Sequence, residues 1–299
     1  MAAPGATSST PTRSALDAPS GVRCALWHWE PPTAAVGLVV LFHGMGSHAR
    51  FPSTSLAAEV LSAGGFAVCS PDMPGHGESD GLRGFLLSSE ALEEDGEAFA
   101  REARRLKPGL PLFLAGSSMG GAIAFRVAQR LDGVSGLVLL APMLAPPASA
   151  AAAYLLAALS YTPLCRLPLI PSSATDNAKQ YSDEAIIKRV DADHLSYKGA
   201  LRVGSASACV SLGAACEATL PGLACPFFCL LADRELVLSE AAREAAERLC
   251  EVAATPAADR TLKRYDALHA LLCEPEPLRS TIAGDILAWM RRYAAGEST

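Results

Sequence analysis

Short apolar, β-branched runs alternate with longer helical patterns along most of this 299-residue chain, and that alternation constrains the fold more than any other feature. Residues 36–42, 66–69, 112–115, 137–140, 227–231 and 261–265 have the length and residue types of strands. Helical patterns lie between them at 53–63, 88–106, 119–131, 239–250 and 277–293. The order implies an α/β class with a mostly parallel central sheet flanked by helices on both faces. Such sheets carry their chemistry at the carboxyl ends of the strands. Between residues 145 and 205 the alternation breaks. Pro146-Pro147, Pro163, Pro168 and Pro171 punctuate an alanine-rich apolar helix pattern at 148–159 and a polar one at 183–190, and no strand pattern occurs. This stretch is expected to be a helical cap that divides the core into residues 21–144 and 206–299. Residues 1–20 lack the apolar core of a secretory signal and read as a disordered tail, with a transit segment as the alternative.

Half of the residues are hydrophobic, which supplies a sizeable core. The net charge is −6 and no Lys/Arg cluster could provide the basic footprint that nucleic acid requires. The expected partner is therefore a small neutral or apolar molecule. Nine cysteines, an odd number with no Cys-x-x-Cys pair, read as small buried hydrophobes and point to a reducing, cytoplasmic compartment. No apolar run reaches the roughly 18–20 residues of a membrane span.

The sharpest chemical signal is Gly116-Ser117-Ser118-Met119-Gly120, set between a strand and a helix. This is the context of a nucleophile elbow, where serine sits on a strained turn and small neighbours relieve the crowding. Ser118 is the expected nucleophile. The second signal is His43-Gly44-Met45-Gly46, directly after the strand at 36–42. Charge that develops on a substrate carbonyl needs backbone N–H groups already aimed at it. Met119 and Met45 are placed to supply that oxyanion hole. His43, beside the glycine turn, is read as a hydrogen-bonding element of the loop rather than a base. With Gly44, and with Tyr197 of the inserted segment, it is placed among the residues flanking the substrate. The base should follow the nucleophile in the chain, and only His194 and His269 do. His194 lies in the inserted segment, whereas His269 follows a strand and a short loop, so His269 is the expected base. The acid should lie just past the strand at 227–231, where Asp233 and Glu235 both qualify. Ser239 reads as the N-cap of the next helix.

On these residues the chain resembles the monoacylglycerol lipase family, especially its plant-type branch of lysophospholipase-like and caffeoylshikimate esterase-like hydrolases. His43-Gly44-Met45-Gly46-Ser47-His48-Ala49-Arg50-Phe51 is similar to that family's HGxGxHxxRY. The run from Asp72 through Gly75-His76-Gly77, Ser79 and Gly81 to Arg83-Gly84 is similar to its D-x-x-GHGxSxGxRG. Tyr197-Lys198-Gly199 and Leu201-Arg202-Val203-Gly204 resemble its segment leading back to the core. The resemblance covers roughly residues 22–293 and implies the α/β-hydrolase fold with a helical cap. Two departures stand out. The acid segment reads Leu231-Ala232-Asp233-Arg234-Glu235-Leu236-Val237. An ungapped count from Pro226 puts the family's aspartate on Glu235, and a two-residue slip puts it on Asp233. The ungapped register also keeps Val237 and the Ser239 helix start in place, so Glu235 is preferred and Asp233 is the alternative. The loop before His269 and the spacing between His48 and Arg50 are each one residue shorter than in the family.

The resemblance implies a serine esterase or lipase for monoacylglycerol-like or lysophospholipid-like esters, working through an acyl-enzyme with no metal and no cofactor. The alternative reading is a non-catalytic descendant that binds a lipid or a partner, and the irregular acid segment is its only ground. The uncharged helix pattern at 148–159 is too short to span a bilayer but long enough to lie on one, so peripheral membrane association through the cap is a further expectation. Oligomeric state is not legible in the sequence.

Overall fold

The computed structural model describes residues 10–296. In chain order the elements are β1 (Thr12–Asp17), β2 (Arg23–Trp29), β3 (Gly37–Phe42), α1 (Pro52–Ala63), β4 (Phe66–Pro71), α2 (Ser89–Leu106), β5 (Leu112–Ser118), α3 (Met119–Ala128) and β6 (Val134–Pro142). There follow α4 (Ala150–Ser160), β7 (Pro168–Ile170), α5 (Asn177–Gln180), α6 (Glu184–Ala192), β8 (Leu201–Arg202) and α7 (Val203–Ala218). The chain ends with β9 (Phe227–Ala232), α8 (Glu240–Val252), β10 (Arg260–Tyr265) and α9 (Leu278–Ala294). Eight strands form one sheet in the order β1-β2-β4-β3-β5-β6-β9-β10. The six from β4 to β10 run parallel, and β2 and β1 are added antiparallel at one edge.

Parallel strands covered on both faces must be apolar on both faces, and β3 shows it. Leu38, Val40 and Phe42 join the core formed with α2, α3, α7 and α8. Val39 and Leu41 point the other way, into the core formed with α1 and α9. Helix ends follow local chemistry. Ser88 Oγ accepts from Ala91 N–H at the start of α2, and Ser239 does the same for Ala242 in α8. Glu90 sits in the first turn of α2 and Arg104 and Arg105 in its last, each sign against the opposite end of the helix dipole.

Two expectations are corrected, and one helix was missed. Thr12–Asp17 is a strand, so the disordered-tail reading fails for that stretch; residues 1–9 lie outside the described residues. β1 carries almost no buried side chain and is held by its ladder with β2, which leaves no apolar pattern to read. The inserted segment does contain strands: β7 and β8 pair antiparallel, but at three and two residues they are too short to alternate. Finally, α7 gave no helical pattern because it is apolar or small all round and buried along most of its length. Its Gly213 backs onto the Ala145 carbonyl, where a Cβ would collide.

The packing sets a test. Phe99 on α2 is fully buried in the core beneath β3, whereas Ser88 acts through hydrogen bonds at the helix start. Phe99→Ala should cost about 3–5 kcal/mol and Ser88→Ala about 1 kcal/mol of unfolding free energy, measured by urea titration.

Candidate active site

β3 and β5 are adjacent, and the chain winds toward one edge from β3 and toward the other from β5. The crevice outside their carboxyl ends is the switch point where α/β sheets open a site. Ser118 occupies the turn there, with φ 56° and ψ −120°, a strained conformation for a residue with a Cβ. The flanking glycines make the turn possible. A Cβ on Gly116 would collide with the Gly120 carbonyl, and one on Gly120 with the Phe42 carbonyl of β3. Met119 follows as the first residue of α3, where an N–H has no partner within the helix. Gly44, Met45 and Ser118 line one cleft. No acceptor for the Met45 N–H occurs among the described residues.

His269 lines the same cleft from the loop after β10. Its Nδ1 lies 2.7 Å from Glu235 Oε2. A carboxylate only accepts, so Nδ1 carries the proton and donates, and neutral His269 keeps Nε2 as a free base. Glu235 Oε1 accepts from the Val237 and Leu238 N–H groups at 2.7 and 3.1 Å. Burial works against the Glu235 charge, yet the hydrogen bond and charge of His269, with those two N–H donors, hold its carboxyl below the ordinary range. Asp233 is placed elsewhere. Its side chain is 45% exposed and accepts from Arg264 Nε at 2.8 Å. Of the two acids legible in the sequence, Glu235 meets the histidine and Asp233 is a solvated ion-pair partner.

A family model described as serine aminopeptidase, S33, matches residues 33–276. The chain belongs to that family. It is 29% identical over 292 residues to a monoacylglycerol lipase of Mycolicibacterium smegmatis, covering 95% of this chain and 98% of that one. It is 27% identical over 250 residues to a caffeoylshikimate esterase of Arabidopsis thaliana, covering 81% and 73%. Among solved structures, a Paleococcus ferrophilus monoacylglycerol lipase superposes with a TM-score of 0.75 at 25% identity, covering 90% of this chain and 99% of that one.

The cleft of this S33-family member is walled by loops that buried polar side chains fasten together. His43 does not line it, which corrects its placement among substrate-flanking residues. The ring is buried. Met73 N–H donates to its Nε2 at 3.0 Å, and its Nδ1 donates to the Gly44 carbonyl at 2.8 Å. Burial pushes its pKa down to about 4, so a neutral His43 braces the glycine loop. Tyr197 does line the cleft. Its N–H donates to the Gly46 carbonyl at 2.8 Å, its ring covers Gly84, and its hydroxyl donates to the Ala200 carbonyl at 2.7 Å. His48 Nε2 donates to Asp193 at 3.1 Å and fastens the same glycine loop to the inserted segment. His194, set aside in favour of His269, is not among the cleft-lining residues.

Two acids that sequence reasoning left without a role organise the site. Asp72 accepts from Ala49 N–H, Glu78 N–H and Trp27 Nε1, joining the loops after β3 and β4. Glu274, also buried, accepts from Leu268 N–H at 2.6 Å and from Ser182 Oγ at 2.5 Å, and meets Arg234 at 3.4 Å. It therefore ties the His269 loop to the acid loop and to the inserted segment. Its signal in the sequence was a lone acid ending the apolar run Leu271-Leu272-Cys273.

The Glu235 carboxyl sits lower in the folded chain than in the unfolded one, so its linkage has a definite sign. Its contribution is fully present above the ordinary glutamate range and is lost as pH falls through the folded value. The Tm difference between wild type and Glu235→Gln should be constant at neutral pH and shrink only on the acid side. A difference that stays flat through the acid range would mean that the carboxylate is not held as described.

Proposed function

We propose that this chain is a serine hydrolase of lipid carboxylic esters, monoacylglycerols first and lysophospholipids next. The observation that carries the reading is the 2.7 Å bond from His269 Nδ1 to Glu235, which leaves Nε2 basic in the cleft that Ser118 also lines. Ser118 Oγ attacks the ester carbonyl carbon while its proton passes to His269 Nε2. The oxyanion is held by the Met45 and Met119 N–H groups. Glu235 stabilises the imidazolium. Collapse expels the alcohol, which takes the proton from Nε2, and water repeats the sequence on the acyl-enzyme. The irregular acid segment was the sole ground for a non-catalytic reading, and it supplies a buried carboxylate to His269.

The S33 description names aminopeptidases, but the walls of the cleft favour a neutral substrate. An aminopeptidase must pair its substrate's ammonium with a carboxylate. Among the described residues lining this cleft none is Asp or Glu, and Lys198 is the one charged side chain beside the histidine. The names of the bacterial and archaeal relatives support the same choice of monoacylglycerol. All nine cysteines are free, in keeping with a reducing compartment.

The segment 145–205 acts in this reading as a cap. The room in the cleft is about 60 Å3, below the roughly 150 Å3 that takes up a benzene ring. A long acyl chain needs more room than the cleft holds at rest, which movement of the walls from 174 to 198 would supply. No helix among the described residues is long and apolar enough to cross a membrane. Yet α4 turns Tyr154 (80% exposed) and Leu155 (60%) outward, and Tyr161, Leu164, Leu167 and Leu169 continue the apolar surface. This face suits reversible docking on a bilayer that holds the substrate.

Ser118→Ala and His269→Ala should each lower monoacylglycerol hydrolysis by roughly 10³-fold or more with an unchanged circular dichroism spectrum. Glu235→Gln should impair turnover far more than Asp233→Asn. Comparable rates for Ser118→Ala and wild type would sink the mechanism, and failure of a fluorophosphonate probe to label Ser118 would return the non-catalytic reading.

For docking, Tyr154→Glu/Leu155→Glu should reduce co-sedimentation with phosphatidylcholine vesicles while hydrolysis of a water-soluble short-chain ester stays within about twofold. Leu159 is half-buried against the core and is left intact. Equal sedimentation of variant and wild type would dispose of the docking face.

A further inference from the structure

A second cavity, of about 210 Å3, lies away from Ser118 and shares no lining residue with the catalytic cleft. It lies between the β1–β2 turn, the loop 74–87 and the first turns of α2. Val22, Leu82, Phe85, Leu86, Leu87 and Leu92 make its walls apolar. Leu82 and Leu87 are exposed, so they form its rim. Asp95 belongs to the lining but turns its carboxyl into the fold: Oδ1 accepts from the Ser20 N–H at 2.9 Å, and Oδ2 is buried. The charge presented to the space is therefore that of Arg166, which reaches the rim from the inserted segment. Its guanidinium stands 5.8 Å from the centre of the Phe85 ring. It makes no ion pair and no side-chain hydrogen bond among the described residues; its backbone carbonyl accepts from Arg202 Nη1. Arg166 is also the only charged residue in the sequence between Asp132 and Asp176, so no acid of its own segment neutralises it.

We propose that this cavity is a second binding site, distinct from the catalytic cleft, for a fatty-acid anion, with the carboxylate on Arg166 and the hydrocarbon chain between the leucine walls and Phe85. The lining selects this class. A guanidinium presents paired donors that match a carboxylate, and an aromatic face beneath it holds the planar group in place. The apolar walls are stabilised by covering a chain, at about 25 cal/mol per Å2 of surface removed from water. The free space exceeds the roughly 150 Å3 that takes up a benzene ring, so a chain of medium length has room. A neutral lipid would leave the guanidinium without a counter-charge, and a small inorganic anion would leave the walls bare. Leu164 and Leu167, exposed on either side of Arg166 in the chain, join the rim to the apolar surface of the inserted segment. Hydrolysis of a monoacylglycerol at Ser118 releases an anion of this class, so the source of the occupant, though not its binding, rests on the function proposed above.

The test is calorimetric titration of the full chain with octanoate, an anion at neutral pH, and with octanol as its uncharged counterpart. Octanoate should bind saturably to wild type. Arg166→Gln, which removes the charge and keeps most of the length, should weaken octanoate at least about fivefold and leave octanol within about twofold. Ala91→Phe fills the cavity from α2 with Arg166 in place and should abolish this octanoate binding. Arg166 is exposed, so its variant decides the matter if Ala91→Phe does not fold. No saturable binding to wild type would overturn the proposal. So would octanoate affinity that is unchanged in Arg166→Gln, or that falls there no more than octanol does. Undiminished binding to Ala91→Phe would place octanoate in the catalytic cleft and overturn it too. Turnover is not read, so a chain inactive on monoacylglycerol would sink the proposed function and leave this result standing.

Discussion

The structure turns on one close approach, that of the first turn of α3 to the end of β3. Gly120 lies so near the Phe42 carbonyl that no side chain fits between them, and Gly116 lies as near to Gly120. That contact forces Ser118 into positive φ and lifts its side chain out of the sheet edge. Strain of this kind costs on the order of 1–3 kcal/mol and persists only where the surroundings over-determine it. Here they do. Ala122, Ile123, Ala124 and Phe125 bury α3 between the sheet and its neighbouring helices. The large apolar core on that face therefore serves the position of one hydroxyl group.

Much of this was legible because it rests on local rules. Strand, glycine turn and helix around Ser118 follow each other in the sequence, and the strands of the parallel sheet are apolar runs that need no partner to be recognised. Glu235 meets His269 from the short loop that β9 and Ser239 bound. Where the reading failed, tertiary contact had replaced local pattern. β1 is held by backbone pairing and a few polar contacts, with only Leu16 reaching the core, so its exposed side chains read as a tail. The helix α7 turns small residues, Ser211, Ala214 and Ala218, outward, so it shows no amphipathic period. His43 braces the loop as its place in the sequence suggested, and only its placement beside the substrate failed, for a related reason. Its position beside the glycine turn was visible, but its burial, which sends both ring nitrogens to the backbone, depends on the loop after β4 folding over it.

The same dependence explains why the acid segment looked irregular. The acid partner of a histidine is usually sought by its neighbours in sequence, but it must meet a ring that arrives from a different strand. The Asp233 N–H donates to the Tyr265 carbonyl and the Arg234 N–H to the Ala267 carbonyl, so the two loops are tied by backbone bonds that any side chain permits. The register of these bonds, and not the identity of residues 233 and 234, fixes which acid points at His269. Glutamate at 235 adds one methylene of reach, and its Oε1 is stabilised by the turn that follows. The segment can depart from the family pattern and still present a carboxylate at 2.7 Å.

Buried carboxylates recur where chain segments must be joined, and they differ in how completely they are satisfied. Asp72 joins the loops after β3 and β4 through three donors. Glu274 joins the His269 loop, the acid loop and the inserted segment through Leu268, Arg234 and Ser182. Asp193, only partly buried, joins the glycine loop to the inserted segment through His48 and the Leu195 and Ser196 N–H groups. Each of these acids offsets its desolvation by donors from segments that must stay in register, so the cost of burying the charge is returned as positional order. Asp95 departs from this pattern: it joins α2 to the β1–β2 turn through Ser20 alone, and burial lifts its carboxyl above the ordinary range.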